Sequence, residues 1–428
     1  MSHNEEFAVE VLKKLRQAGY EALWAGGCVR DLLLGRHPKD FDVATSANPD
    51  EVRELFGRKR TLAIGAAFGV VMVLGPRGVG PVEVATFRRD GNYSDGRRPD
   101  SVEFSTPRED AQRRDFTING LFYDPVQREV IDYVGGQADL DRRVVRAIGD
   151  PDARFDEDKL RMLRAVRFTA NFDFTLDPAT AAAIQRRPGD VRQVSAERIT
   201  AELRRMLDHA HRRRAVELLD ETQLLPAIFP MGRAFEFLAE TSYRLNSSAM
   251  GTLGALRADA TFATSLAIFL TCLADESSWV SSARVEMLGR AWRLTTHEVA
   301  RSQWLMTSIE SVRRASDLPW CQLQRVLIHD GAPELLDWLQ SETESGWVNS
   351  AHLSRCQEGL ALPADKLNPP PLINGNDLQQ HGIPKGPVYR ELLEGVRDAQ
   401  LQGELTTYEA AMAWVDQFVA AQRPVDNS

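Results

Sequence analysis

LWAGGCVRDLLLGRHPKDFDVATSANPDEV, residues 23–52, sets an apolar run, a double glycine, a short amphipathic stretch and two aspartates inside thirty positions. Asp40 and Asp42 stand two apart. On a β-strand, side chains alternate faces, so residues at i and i+2 point the same way. Two carboxylates on one face can hold two hard divalent cations, Mg²⁺ being the usual choice, against the phosphates of a triphosphate. One cation would lower the pKa of an attacking hydroxyl while the other steadies the departing pyrophosphate. Gly26 and Gly27 follow "LWA" and precede "CVRDLLLG". That order reads as strand, turn and helix, with free backbone N–H groups at the helix start facing phosphate. Arg30 would add a charged donor there. An isolated Asp-x-Asp is usually a pair that keeps a surface strand or turn soluble; joined to Gly-Gly-x-Val-Arg-Asp it reads as a nucleotidyl-transfer site. The G-x-G-x-x-G fingerprint and the G-x-x-x-x-G-K-[ST] phosphate loop are both missing, which disfavours dinucleotide enzymes and phosphate-loop hydrolases.

Further motifs follow in order. "GGCVRDLLLG" with "DFDVAT" resembles the first motif of the class II tRNA nucleotidyltransferase and bacterial poly(A) polymerase family. "EDAQRRDFTINGLFYDP" resembles the second, "VIDYVGGQADLDRRVVRAIGDP" the third, "RFDEDKLRMLRAVRFTANF" the fourth and "SAERITAELRRML" the fifth. "LINGNDLQQHGIPKGPVYRELLEGVRDAQLQGEL" is similar to the C-terminal part of bacterial CCA-adding enzymes.

The resemblance implies an α+β chain: an N-terminal polymerase-beta-like nucleotidyltransferase head with a mixed sheet, then an all-α neck, body and tail. Alternating helix and strand signals place the head at residues 1–144. Helical patterning puts a base-reading neck at 145–215, a body at 216–366 and an RNA-holding tail at 367–428. The prolines of "LPADKLNPPPLI" break the helical pattern near residue 368.

Each motif also has a reading of its own. Glu83 begins the strand-like "EVATF" and is a candidate third carboxylate beside the metals, a solvated strand position being the alternative. Arg88 to Pro99 is rich in glycine and charge, which predicts a mobile loop; in the family such a loop is associated with adding the terminal A. Arg113 and Arg114 suit triphosphate oxygens because a planar guanidinium donates two parallel bonds, while Asp115 can accept from a ribose hydroxyl. By resemblance this motif, with Asn119 behind it, selects the ribose. Gly135 and Gly136 read as a connector between strand and helix rather than as chemistry.

"DEDKLRMLRAVRF" predicts one helix, with Leu160, Leu163, Val166 and Ala170 as its apolar stripe and Glu157, Asp158 and Arg161 on the polar side. An Asp accepts and an Arg donates, so the pair can present an edge that bonds C or A without a template. The resemblance assigns base reading to Asp158 and Arg161, with Glu157 orienting the arginine. G and U carry the opposite pattern and are rejected. Arg164 and Arg167 are candidates for phosphate contact or for pairing with helix acids.

Composition agrees with a soluble cytoplasmic enzyme. A chain of 428 residues, 43% hydrophobic and 26% charged, is long enough for several cores. No apolar run approaches the ~18 residues a membrane span needs, and the N-terminus is no secretory signal. The four cysteines form no C-x-x-C, as expected of a reducing compartment without a zinc site. A net charge of −9 does not exclude an RNA partner, because phosphate contacts need a local stripe. "RRPGDVR", "ERITAELRRML" and "HAHRRR" are candidate stripes. His209 and His211 make a poor metal pair, since i and i+2 diverge on a helix, and His329–Asp330 lacks the companions of a phosphohydrolase.

The expected activity is therefore template-independent addition of CMP and AMP to the 3′ end of tRNA, from CTP and ATP with Mg²⁺, the enzyme gripping the 3′ end and acceptor arm. A poly(A) polymerase or an A-adding enzyme shares these motifs; "AIGAAFGVVMV" lacks the Arg/Lys pair of the bacterial poly(A) polymerase pattern, which favours CCA addition. A catalytically inactive RNA-binding protein and a small-molecule nucleotidyltransferase are the readings from other classes.

Overall fold

The computed structural model describes residues 2–63, 69–90, 102–232, 235–239, 243–273 and 282–422. Most of the Arg88–Pro99 segment and the start of "AIGAAFGVVMV" lie outside these residues. The chain divides into two units, 1–243 with 291–293, and 244–290 with 294–428.

The first unit opens with α1 (His3–Gln17), closed at its N-terminus by a Ser2–Glu5 capping box. A seven-stranded mixed sheet follows, in the order β3-β4-β5-β2-β1-β8-β9. Its strands are β1 (Ala22–Ala25), β2 (Asp42–Thr45), β3 (Thr61–Leu62), β4 (Val70–Val73), β5 (Val82–Thr86), β8 (Leu121–Asp124) and β9 (Glu129–Asp132). Only β2 and β5 run parallel, in a register that sets Asp42 beside Glu83. Between these strands lie α2 (Gly27–Leu33), α3 (Pro49–Phe56), α4 (Pro107–Gln112) and a separate ladder of β6 (Arg88–Asp90) on β7 (Val102–Phe104). The expected loop thus begins as a paired strand at Arg88. Leu23, Ala25, Ala44, Phe87, Ala111 and Phe122 form one buried cluster, so the strand carrying Asp42 and the helix preceding Arg113 rest on a common core.

Helix α5 (Gly136–Asp141) starts at the predicted connector, where Gly135 adopts φ +78°. A Cβ on Gly136 would lie 2.2 Å from the Thr117 carbonyl oxygen. Gly136→Ala should therefore destabilise the protein by roughly 1–3 kcal/mol through overpacking, measurable as a lower denaturation midpoint. The next elements are β10 (Val144–Val145), α6 (Pro151–Glu157), α7 (Leu160–Phe172), β11 (Thr175–Leu176), α8 (Pro178–Arg186), α9 (Ala196–Leu207), α10 (Arg212–Glu221) and α11 (Leu225–Ile228). Strands β10 and β11 pair in parallel, and Phe116 bridges to Ala147, so the sheet and the helices after residue 145 pack as one body.

The predicted helix from Asp156 to Phe168 is two helices. Asp158 takes an extended conformation (φ −150°, ψ 106°) between α6 and α7, and its Oδ1 accepts from the Leu160 N–H. A short polar side chain that bonds the backbone ahead of it favours such a break. The apolar stripe of Leu160, Leu163, Val166 and Ala170 is buried as expected.

The second unit is helical throughout its described residues: α12 (Ser247–Ala255), α13 (Phe262–Cys272), α14 (Ser282–Ala291, its last residue in the first unit), α15 (Thr296–Arg313), α16 (Trp320–Leu327), α17 (Ala332–Glu344), α18 (Ser350–Leu360), α19 (Ala364–Leu367), α20 (Gly375–Gln380), α21 (Pro387–Leu401) and α22 (Tyr408–Gln422). The proline run ends α19 where expected. The last three helices close on Leu378, Leu392, Val396 and Val415. Among the described residues no helix is long and apolar enough to cross a membrane. All four cysteines are free and buried.

Candidate active site

A cavity of about 470 Å³ in the first unit is lined by Gly26, Gly27, Arg30, Asp42, Arg113, Arg114, Asp115, Asn119, Asp158, Arg161, Arg164 and Arg167, all expected from sequence. Leu160, Phe168 and Arg198 complete its wall. A second hollow of about 220 Å³ shares Asp42, Arg113 and Arg114 with the first and adds Glu83 and Arg88.

The carboxylate end is built by the parallel register of β2 and β5. Partners across such a ladder project to the same face, which sets Glu83 beside Asp42. Asp40 differs from expectation. Strand β2 begins at Asp42, and Asp40 occupies the exposed bend before it, so strand alternation does not place this pair. Its charge still acts on its neighbour. Burial first, then Glu83, with Arg114 opposing and Asp40 adding, pushes the Asp42 carboxyl up to about 6. Partial burial also raises Glu83, against the pull of Arg88. A half-buried carboxylate whose burial and neighbouring carboxylates outweigh Arg114 is short of positive charge, which a divalent cation would supply. Among the described residues no group of three or more carboxylate, imidazole or thiol side chains could hold a metal by itself. That suits a small hard cation, which completes its shell with water and substrate phosphate around one or two carboxylates.

The glycine turn has the geometry its sequence requires. Gly26 adopts φ +72°, and a Cβ there would meet Arg114 Nη1 at 2.6 Å. Helix α2 starts at Gly27 without a side-chain cap. Arg30, expected to serve phosphate, lines the cavity and is also tied to its neighbours. Its Nε and Nη2 donate to Asp31 Oδ1 at 2.9 and 2.7 Å and its Nη1 to Asn119 Oδ1 at 2.6 Å, while its guanidinium lies 4.5 Å from the Phe172 ring centre.

Arg113 and Arg114 are held from behind by Asp110, which the sequence reading passed over. Asp110 is buried, and its two oxygens accept from Nε of Arg113 at 2.8 Å and from Nε and Nη2 of Arg114 at 3.2 and 3.0 Å. Arg113 Nη2 lies 2.7 Å from the same carboxylate. Burial would raise the Asp110 pKa; the arginine charges outweigh it and hold the group below its ordinary value. Its spacing to the arginines, three and four residues along α4, was the available signal.

Asp115 accepts from Asn119 Nδ2 at 3.0 Å, from the Phe116 N–H at 2.8 Å and from Arg164 at 2.8 and 2.5 Å. Burial opposes its ionisation, yet Arg164 and Asn119 bring its pKa down to about 2. It is therefore a permanent acceptor at the cavity wall. Arg164 and Arg167 do not pair with acids of their own helix: Arg167 meets Glu202 of α9 at 2.5 Å.

At the far end, Arg161 donates to Glu157 at 2.5 Å and to the carbonyls of Arg154 and Arg113, both at 3.1 Å. Glu157 thus orients the arginine, while Arg161 itself is buried rather than surface polar. Asp158 projects from the break between α6 and α7 into the same cavity.

The basic stripes are less free than their sequence suggests. Arg186 pairs with Asp152, Arg187 with Asp156, Arg205 with Glu202, Arg213 with Glu217 and Arg214 with Glu221, and Arg212 is fully buried. His209 Nδ1 accepts from the His211 N–H, and His329 stacks on Trp304, so both histidine motifs have structural roles.

The family model described as "Poly A polymerase head domain" matches residues 22–146, and "Probable RNA and SrmB- binding site of polymerase A" matches 173–235. Head, cavity and following helices define a nucleotidyltransferase with a poly(A)-polymerase-type head. The chain is 33% identical to the CCA-adding enzyme of Geobacillus sp. over 94% of both chains, and 33% identical to that of Lactobacillus gasseri over 95% of both. The crystal structure of the Bacillus stearothermophilus CCA-adding enzyme in complex with CTP matches with a TM-score of 0.74 at 29% identity, covering 98% of this chain and all of the other. The chain belongs to the family of CCA-adding enzymes, which are tRNA nucleotidyltransferases using divalent metals.

Proposed function

We propose that this site adds CMP and AMP, without a template, to the 3′ end of tRNA, taking CTP and ATP as donors and Mg²⁺ as the metal. The reading is carried by one cavity that runs from Asp42 past the arginines to Asp158 and Arg161. Asp40 and Asp42, with Glu83 alongside, are the residues that would hold Mg²⁺, whose bound charge activates the tRNA 3′ hydroxyl and screens the leaving pyrophosphate. Arg113 and Arg114, aimed by Asp110, receive the triphosphate, with Gly26 and Gly27 letting the backbone approach. Asp115 accepts from the ribose hydroxyl, fixed by Arg164 and by Asn119, which Arg30 holds in turn. Arg167 braces α7 through Glu202 and adds positive potential. Asp158 accepts from the exocyclic amine of C or A, and Arg161 donates to the neighbouring ring nitrogen. The head ends near 144, the neck near 215 and the body near 366, and the neck, body and tail hold the acceptor arm. Free, buried cysteines fit a cytoplasmic enzyme.

The test uses three tRNA transcripts ending before CCA, after C and after CC, incubated with Mg²⁺ and CTP or ATP, separately and together, and then sequenced at their 3′ ends. Completion to CCA on all three is expected. Addition of A to the CC-ended transcript alone would mean an A-adding enzyme, and long A tails a poly(A) polymerase. No extension would leave an RNA-binding role.

A further inference from the structure

Asp158 and Arg161 are held by different parts of the protein. Arg161 is fixed by Glu157 and two backbone carbonyls. On α7 the Asp158 carboxylate meets the Leu160 N–H, a single bond to Oδ1 at 3.1 Å. Its partner comes from α9: Arg198 donates Nη1 to Oδ1 at 3.1 Å and Nη2 to Oδ2 at 2.7 Å. This fork is partly buried, with side-chain exposures of 22% for Arg198 and 16% for Asp158. Arg198 also lines the cavity.

We propose that Arg198 is a specificity-determining positioning residue, which locks the Asp158 carboxylate in the plane where it accepts from the amino group of C or A and repels U and G. The inference rests on the base-reading role given to Asp158 above. Asp158 sits at a helix break, where side-chain direction is set by few neighbours. A two-point fork fixes both position and plane of a carboxylate, which a single bond cannot do. A carboxylate offers about four lone-pair sites, so the fork and the Leu160 N–H leave one, on Oδ2, for a base. Uracil presents an acceptor at the position of the cytosine amine, so a carboxylate fixed in that plane repels it. A carboxylate that swings away removes that repulsion along with the bond to cytosine.

Helix α9 serves α7 in the same manner one turn later, where Glu202 holds Arg167. Arg198 and Glu202 are i and i+4, so one helical face supplies a cation for the acceptor and an anion for the cation beside it. The arginine read from sequence as part of an RNA stripe therefore points inward.

The experiment measures kcat and KM for CTP and UTP on tRNA ending before CCA, with the full-length wild type, Arg198→Met, Arg198→Lys and Asp158→Ala, alongside thermal midpoints. Arg198→Met should lower the CTP/UTP ratio of kcat/KM by about tenfold or more, the effect of losing an interaction of charge-assisted strength, chiefly through a higher KM for CTP and a gain in UTP use. Arg198→Lys, which keeps the charge but not the fork, should recover part of the ratio. If Asp158→Ala loses selectivity while both Arg198 variants keep the wild-type ratio, the positioning inference fails and base reading stands. If Asp158→Ala also keeps the ratio, base reading fails and the inference with it. Should Arg198→Met unfold, Arg198→Lys decides by the same criterion.

Discussion

Asp42→Asn should all but abolish nucleotide addition and make the protein more stable. The carboxylate lies in the cavity beside Glu83, where burial and like charge push its pKa up to about 6 from 3.8. A shift of that size costs the folded state on the order of 3 kcal/mol at neutral pH. The sign follows from proton binding. A raised folded value means the native state binds the proton better, so this contribution to stability is present below pH 3.8 and is lost as pH rises through about 6. Asparagine carries no charge to penalise. The variant should therefore melt higher than wild type above pH 6, and the gap should close as pH falls towards 3.8. Mg²⁺ should raise the wild-type midpoint and leave the variant nearly unmoved, because ligand linkage stabilises only the form that binds. Activity on tRNA should fall by roughly 10³-fold or more, as when a group stabilising transition-state charge is lost. A variant that is destabilised, or that still extends tRNA at a tenth of the wild-type rate, would remove Asp42 from the metal site.

The legible parts of this site were those set by short-range geometry. Gly26, Gly27 and Arg30 share a turn and the first turns of a helix, and Arg113 to Asn119 form one continuous segment, so local pattern alone brought these residues to one wall. Glu83 was legible as a candidate third carboxylate but not apart from a solvated strand position, because its place beside Asp42 depends on a parallel pairing between strands forty residues apart. The break at Asp158 was hidden by periodicity. Leu160, Leu163 and Val166 mark a helical stripe whether or not the helix continues through Asp158, and only the hydrogen bond to Leu160 N–H reveals where it restarts. Charge roles were the least legible. Arg30 read as a phosphate donor, and Arg164 and Arg167 as phosphate contacts or partners of helix acids, yet each has an acidic or amide partner from a distant segment. A sequence shows that an arginine exists, whereas its partner is fixed by tertiary packing.

Asp110→Asn should separate the aiming of the triphosphate arginines from the reading of the base. The native carboxylate is buried and receives donors from both Arg113 and Arg114. Asparagine keeps the shape but presents one acceptor and two N–H groups, one of which must face a guanidinium. Both arginines then lose a charge-assisted bond while their side chains remain only 20% exposed. Breaking one side of a buried pair costs about 3 kcal/mol, so the denaturation midpoint should drop. The pH dependence has the opposite sign to that of Asp42. Arginine charge, outweighing burial, lowers the Asp110 pKa, so its contribution is full above 3.8 and is lost as pH falls through the folded value. Wild type and variant should converge only in strong acid. Arg114 also contacts the Asn119 carbonyl and packs under Gly26, so a displaced guanidinium enters the phosphate end of the cavity. KM for CTP and ATP should therefore rise together, by roughly tenfold or more, with the CTP/UTP ratio unchanged because Asp158 and Arg198 are untouched. Equal KM values in variant and wild type would reduce Asp110 to a fold-stabilising acid. A change confined to the CTP/UTP ratio would place it in base recognition, contrary to the geometry, since its carboxylate accepts from the two arginines and the Arg88 N–H.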